Sequence, residues 1–155
     1  MRYFMRGTVL VVVLALVGSF LMSGQARAFF GLSSGDTEVK AENGVVTIPL
    51  ADVSDGKVHF FTSEQNGKTI RFFAVKSPNG QLRAAFDACD VCYAEKKGYR
   101  ADGDFVVCAN CGRRFHLNMV GEVRGGCNPA PLAPSVSGDK LVLQASDLAA
   151  GAGFF

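Results

Sequence analysis

The sequence predicts a mainly β fold: a small antiparallel β domain carrying a cysteine-rich, zinc-ribbon or rubredoxin-like double-knuckle metal site. Three observations predict it. Short β-prone runs are punctuated by turn dipeptides such as Asn66-Gly67 and Asp102-Gly103. The 18 glycines among 155 residues favour turns and short strands over long helices. Two Cys-x-x-Cys units, Cys89/Cys92 and Cys108/Cys111, stand 15 residues apart, the spacing at which two turns present four sulfurs to one ion.

The elements follow in order. Residues 1–28 read as a secretory signal peptide: Arg2 and Arg6 form a positive start, Thr8 to Met22 is apolar, and Ala26-Arg27-Ala28 is a small-x-small cleavage pattern. The apolar run is shorter than the roughly 20 residues of a spanning helix, so removal is favoured; if uncleaved, the leader would anchor the chain to the membrane. The expected location is therefore periplasmic or otherwise extracytoplasmic. No Arg-Arg pair precedes the apolar run, so the chain is expected to cross unfolded and to fill any metal site after export. Residues 29–44 are Gly/Ser-rich and read as a linker or disordered tail, with the domain proper over residues 45–150.

Within that domain, Val45 to Leu50 is β-prone, with Pro49 marking an edge strand or a strand end. Lys57 to Glu64 and Lys68 to Lys76 flank the Asn66-Gly67 hairpin turn, and Gln81 to Ala88 follows the Pro78-Asn79-Gly80 turn and runs straight into Cys89. These three strands form an antiparallel meander. Asp104 to Val107 is a short strand, Asn128 to Pro134 a rigid connection, Lys140 to Gln144 the last strand, and Ala145 to Leu148 a helical turn. Gly151 to Phe155 reads as a frayed end.

Charge excludes one class of partner. Removing Arg2, Arg6 and Arg27 with the leader leaves 13 basic against 14 acidic residues, and no basic stripe is interleaved with aromatics, so nucleic-acid binding is set aside. No serine triad, acid–base pair or phosphate loop can be assembled. Asp87 and Asp90 read as turn formers. Hydrolysis and group transfer find no support, and the chain reads as other than an ordinary enzyme, with electron transfer left open.

The cysteines allow several chemistries. Thiolates suit iron, zinc or an iron–sulfur cluster, and sulfur ligation alone does not choose among them. In an oxidising compartment the same residues could instead form disulfides, although framework disulfides usually close longer loops than a two-residue gap. A thioredoxin-like site needs a strand-to-helix Cys-x-x-Cys, covalent haem needs a following His, and a Rieske centre needs histidines inside the pairs; none is present. Gly112, next to Cys111, permits the turn in which backbone amides face a sulfur. Cys127, in Gly125-Gly126-Cys127-Asn128-Pro129, is either a small buried residue at a bend or an additional ligand. His116 could reach a metal but equally reads as a half-buried strand histidine, and His59 as structural.

The run Phe86-Asp87-Ala88-Cys89-Asp90-Val91-Cys92, then Lys97-Gly98-Tyr99, Val107 to Gly112, and Gly125 to Leu132, resembles the FtrD-like membrane iron–sulfur proteins. His59-Phe60-Phe61 and Arg71-Phe72-Phe73 also fit. The resemblance implies metal ligands at Cys89, Cys92, Cys108 and Cys111, with Cys127 in the same motif, and an iron or iron–sulfur centre handling electrons or iron beside the permease of a bacterial iron-uptake system. A structural zinc module that binds a partner protein, or a thiol–disulfide redox protein, are the alternative readings.

Overall fold

The structure, a computed structural model, describes residues 35–155; the leader and the first residues of the expected tail lie outside that range. Three sheets are built mostly from antiparallel pairs. The largest has the order β1 (Thr37–Glu38), β4 (His59–Gln65), β5 (Lys68–Lys76), β6 (Leu82–Phe86) and β10 (Pro131–Leu132). A second runs β11 (Ser135–Ser137), β12 (Lys140–Gln144), β3 (Val45–Pro49), β2 (Ala41–Glu42), and a third β7 (Tyr99–Asp102), β8 (Phe105–Cys108), β9 (Arg114–His116).

The meander β4–β5–β6 forms as its turn residues require. Asn66 (φ 51°) and Gly67 (φ 77°) both adopt the left-handed conformation of a tight hairpin turn, setting Phe61 opposite Phe72 and Gln65 opposite Lys68. Strand β5 is buried on both faces, and its period-2 alternation divides the interior. Ile70, Phe72 and Ala74 join a first core with Val46, Ile48, Leu141, Leu143 and Leu148. Phe73 and Val75 face a second core that contains Cys89, Tyr99, Val106, Cys108 and Leu117. Phe72 and Phe73 have no exposed surface, and each stabilises its core by about 1.5–3 kcal/mol. The large sheet thus lies between the other two, and two of the candidate ligands are seated in the smaller of its flanking cores.

Three boundaries differ from expectation. The segment read as a tail contains two strands: β1 pairs in parallel with β4, the Val39 amide donates to the Thr62 carbonyl at 2.8 Å, and β2 turns into β3 through Asn43-Gly44. Pro49 marks a strand end and not an edge, since β3 has β12 along its whole length and β2 at its start. The last residues are packed and not frayed. Helix α1 (Ala145–Ala150) continues into a 3-10 turn at Gly151–Phe154, where a Cβ on Gly151 would fall on the Phe86 ring. There the Lys68 ammonium donates to the carbonyls of Ala152 (2.9 Å) and Phe155 (3.2 Å).

Candidate metal centre

Cys89 is placed by strand pairing that continues beyond β6. The Asp87 amide donates to the Arg71 carbonyl at 2.9 Å on one side, and the Ala130 amide donates to the Ala88 carbonyl at 3.0 Å on the other. The chain then turns sharply: the Cys92 amide donates to Cys89 Sγ at 3.2 Å, and the Tyr93 amide to the Cys89 carbonyl at 3.2 Å. An amide aimed at a sulfur is the feature that stabilises a thiolate in such a turn.

The second turn hangs from the end of β8. Gly112 (φ 73°) closes it by donating to the Cys108 carbonyl at 2.9 Å, and the Cys108 amide donates to Arg113 at 3.0 Å. The Ala109 amide donates to the Gly98 carbonyl at 2.9 Å, which ties this turn to the segment following the first. Cys89 and Cys108 are buried, whereas Cys92 is half-buried and Cys111 exposed, so each turn contributes one inner and one outer sulfur.

The two turns converge. The Sγ atoms of Cys92, Cys108 and Cys111 all lie within 4.8 Å of one another. Cys89, Cys92 and Cys127 form a second set within the same limit, and Cys92 belongs to both. Cys127, at the bend its flanking glycines make, is half-buried against the second core, with its sulfur 3.9 Å from that of Cys92. His116 belongs to neither set; its Nδ1 accepts the Asn118 amide at 3.1 Å and its ring stands edge-on to Phe105. His59 bonds Asp55 at 2.7 Å, a local contact on the surface.

The sulfurs differ electrostatically. Burial pushes the Cys108 thiol up to about 11, whereas the Arg113 amide holds the exposed Cys111 down to about 7. Cys127 is pushed up, first by the neighbouring Cys111 thiol. Crowded thiols resist losing several protons together, and a cation among them reverses that balance.

One supporting residue escaped the sequence reading. Asp87 is buried and not a turn former: its carboxylate accepts the Tyr99 amide at 2.6 Å and pairs with Arg71 Nη2 at 2.5 Å. Burial pushes it up to about 6, outweighing the Arg71 guanidinium. Gly98 permits this approach, since a Cβ there would fall on the carboxylate. Tyr99 in turn donates its hydroxyl to the Cys127 carbonyl at 2.7 Å, so the Asp87–Arg71 pair at the end of β6 connects through Tyr99 to the loop bearing the fifth cysteine. The available signal was a carboxylate within the apolar run Ala84-Ala85-Phe86-Asp87-Ala88, where a charge needs a partner. Beside the sulfurs opens a cavity of about 300 Å³ lined by Arg71, Cys89, Cys92, Tyr93, Cys108 and Phe154.

An all-sulfur donor set of this compactness suits a thiophilic metal. Two sulfurs sharing one ion at about 2.3 Å each lie no more than about 4.6 Å apart, close to the limit that both sets meet. The family model described as "Membrane iron-sulfur containing protein FtrD-like" matches residues 53–155, about two thirds of the chain and all five cysteines. The chain belongs to the FtrD-like family. The match begins after β3, so the first three strands lie ahead of the FtrD-like region. No curated protein matches the chain. The FtrD-like description names membrane proteins, while among the described residues no helix is long and apolar enough to cross a membrane.

Proposed function

We propose that this FtrD-like chain is an exported accessory protein of a bacterial iron-uptake system, binding iron through Cys89, Cys92, Cys108 and Cys111 and passing electrons or iron beside a permease. The observation that carries the reading is the convergence of the two Cys-x-x-Cys turns, with Cys92 within 4.8 Å of both Cys108 and Cys111. The double-knuckle comparison is supported by the amide-to-sulfur bond within the first turn and by the glycine that closes the second. The family's iron–sulfur description favours iron over zinc.

Thiolate-bound iron, when present, supplies one-electron redox chemistry. The chain's own part is to hold the sulfurs. Cys89 and Cys108 are fixed by the second core, the Cys92 amide faces Cys89 Sγ, and the Arg113 amide favours the thiolate form of Cys111. The exposed Cys111 gives a redox or iron-bearing partner a route to the centre.

The reading is tested by elemental analysis and a visible spectrum of protein taken from its export compartment. Near-stoichiometric iron with charge-transfer absorption is expected. Stoichiometric zinc and a colourless protein would replace it with a structural module, and metal-free protein bearing disulfides would replace it with thiol–disulfide chemistry.

A further inference from the structure

We infer that the five cysteines form a two-ion site: Cys92 bridges one ion held with Cys89 and Cys127 and a second held with Cys108 and Cys111. The inference rests on the reading that these thiols bind a thiophilic metal, and it concerns how many ions they hold and which sulfurs hold them.

Three observations lead to it. The first is how the sulfurs group. The four sulfurs of the two Cys-x-x-Cys units do not form one mutually close set within 4.8 Å; together with Cys127 they make five sulfurs in two triads that share Cys92. A single tetrahedral ion bound at about 2.3 Å requires all four sulfurs within about 4 Å of one another. A shared thiolate is the arrangement that satisfies both triads at once.

The second is the placement of Cys127. It is half-buried and only partly packed against the second core, so part of its surface lies outside that packing. Its loop is nevertheless held firmly: the Tyr99 hydroxyl bonds the Cys127 carbonyl, and both the backbone amide and the side chain of Asn128 donate to the Gly125 carbonyl, at 3.3 and 2.9 Å. Gly125 and Gly126 have φ of 88° and 63°, a bend that residues with side chains rarely adopt. That bend brings Cys127 Sγ to 3.9 Å from Cys92 Sγ.

The third is charge. One divalent ion on four thiolates leaves two net negative charges and a fifth thiol in contact with them. Two divalent ions on five thiolates leave one. In a site whose inner sulfurs are buried, the smaller net charge carries the smaller desolvation penalty. Sharing Cys92 gives each ion three protein sulfurs, so each has a position open to an incoming ligand, as in sites that exchange or react and unlike closed structural ones. The class of ligand is a pair of divalent thiophilic ions, ferrous iron or zinc, with no inorganic sulfide required between them.

The test titrates the reduced, metal-free chain anaerobically with zinc ions and follows occupancy by native mass spectrometry and thiol protection by iodoacetamide labelling. Two zinc ions per chain, with all five thiols protected, are expected. Cys127→Ser should bind one ion, and Cys92→Ser should weaken both; circular dichroism checks that each variant keeps its β structure. Saturation at one ion with Cys127 still labelled would overturn the two-ion site while leaving metal binding intact, whereas no zinc binding at all would overturn both. As a second measurement, two irons with equimolar acid-labile sulfide in the isolated protein would identify a sulfide-bridged cluster and overturn the thiolate bridge, again sparing the broader reading.

Discussion

Replacing Asp87 with Asn tests whether burial or the ion pair governs the residue that supports the cysteine loops. The two side chains are nearly the same size, and the Asn oxygen can still accept the Tyr99 amide, so the substitution removes chiefly the charge. Arg71 keeps a second carboxylate, that of Asp36 at 3.3 Å, and is not orphaned. Folding raises the Asp87 pKa from its ordinary 3.8 to about 6, so between these values the folded chain binds more protons than the unfolded one. Stability from this group is therefore fully present below pH 3.8 and is lost as pH rises through about 6. Integrating that difference gives a penalty of about 1 kcal/mol at pH 4.5 and about 3 kcal/mol at pH 7. The unfolding free energy of the parent minus that of Asp87→Asn should thus fall by about 2 kcal/mol from pH 4.5 to pH 7. Urea melts of both reduced, metal-free proteins at the two pH values measure it, and other titrating groups cancel in the difference. A flat difference, or one that grows with pH, would refute the reasoning, because the Arg71 pair would then outweigh burial.

Two further outcomes are expected. Gly98→Ala should destabilise the domain by about 2–4 kcal/mol in the same urea assay, combining a left-handed backbone with a Cβ placed on the Asp87 carboxylate; a change under about 0.5 kcal/mol would mean the approach is looser than described. In the metal-free chain at pH 7, iodoacetamide should modify Cys111 before the other cysteines. With its pKa held down to about 7 it is about half thiolate, against a few per cent for an ordinary thiol. Peptide mass spectrometry reads the order, and earlier labelling of Cys92 or Cys127 would contradict it.

What the sequence disclosed follows from which forces are local. The β5 boundaries, Lys68–Lys76, could be read directly because an Asn-Gly turn and a Pro-Asn-Gly turn flank a strongly β-prone run. The same dipeptide at Asn43-Gly44 has no readable strand ahead of it, because β1 and β2 are two residues each and too short to show a period. Phe154 and Phe155 looked like a loose end because their partner, Phe86, lies far away in sequence. In the candidate site, the Cys-x-x-Cys spacing advertised two turns, since each is a local geometry. The partnerships of Asp87 with Arg71 and of Cys127 with Cys92 join residues 16 and 35 positions apart, and no local pattern encodes them.

The inner and outer sulfurs give the centre a front and a back. Each ion seated there would be gripped from behind by one buried sulfur, Cys89 or Cys108, while Cys111 meets solvent directly. An approaching donor or acceptor could replace the front thiolate one bond at a time while the rear ones keep hold. Handover by stepwise substitution, with no free ion released, is the exchange route that such a one-sided opening favours.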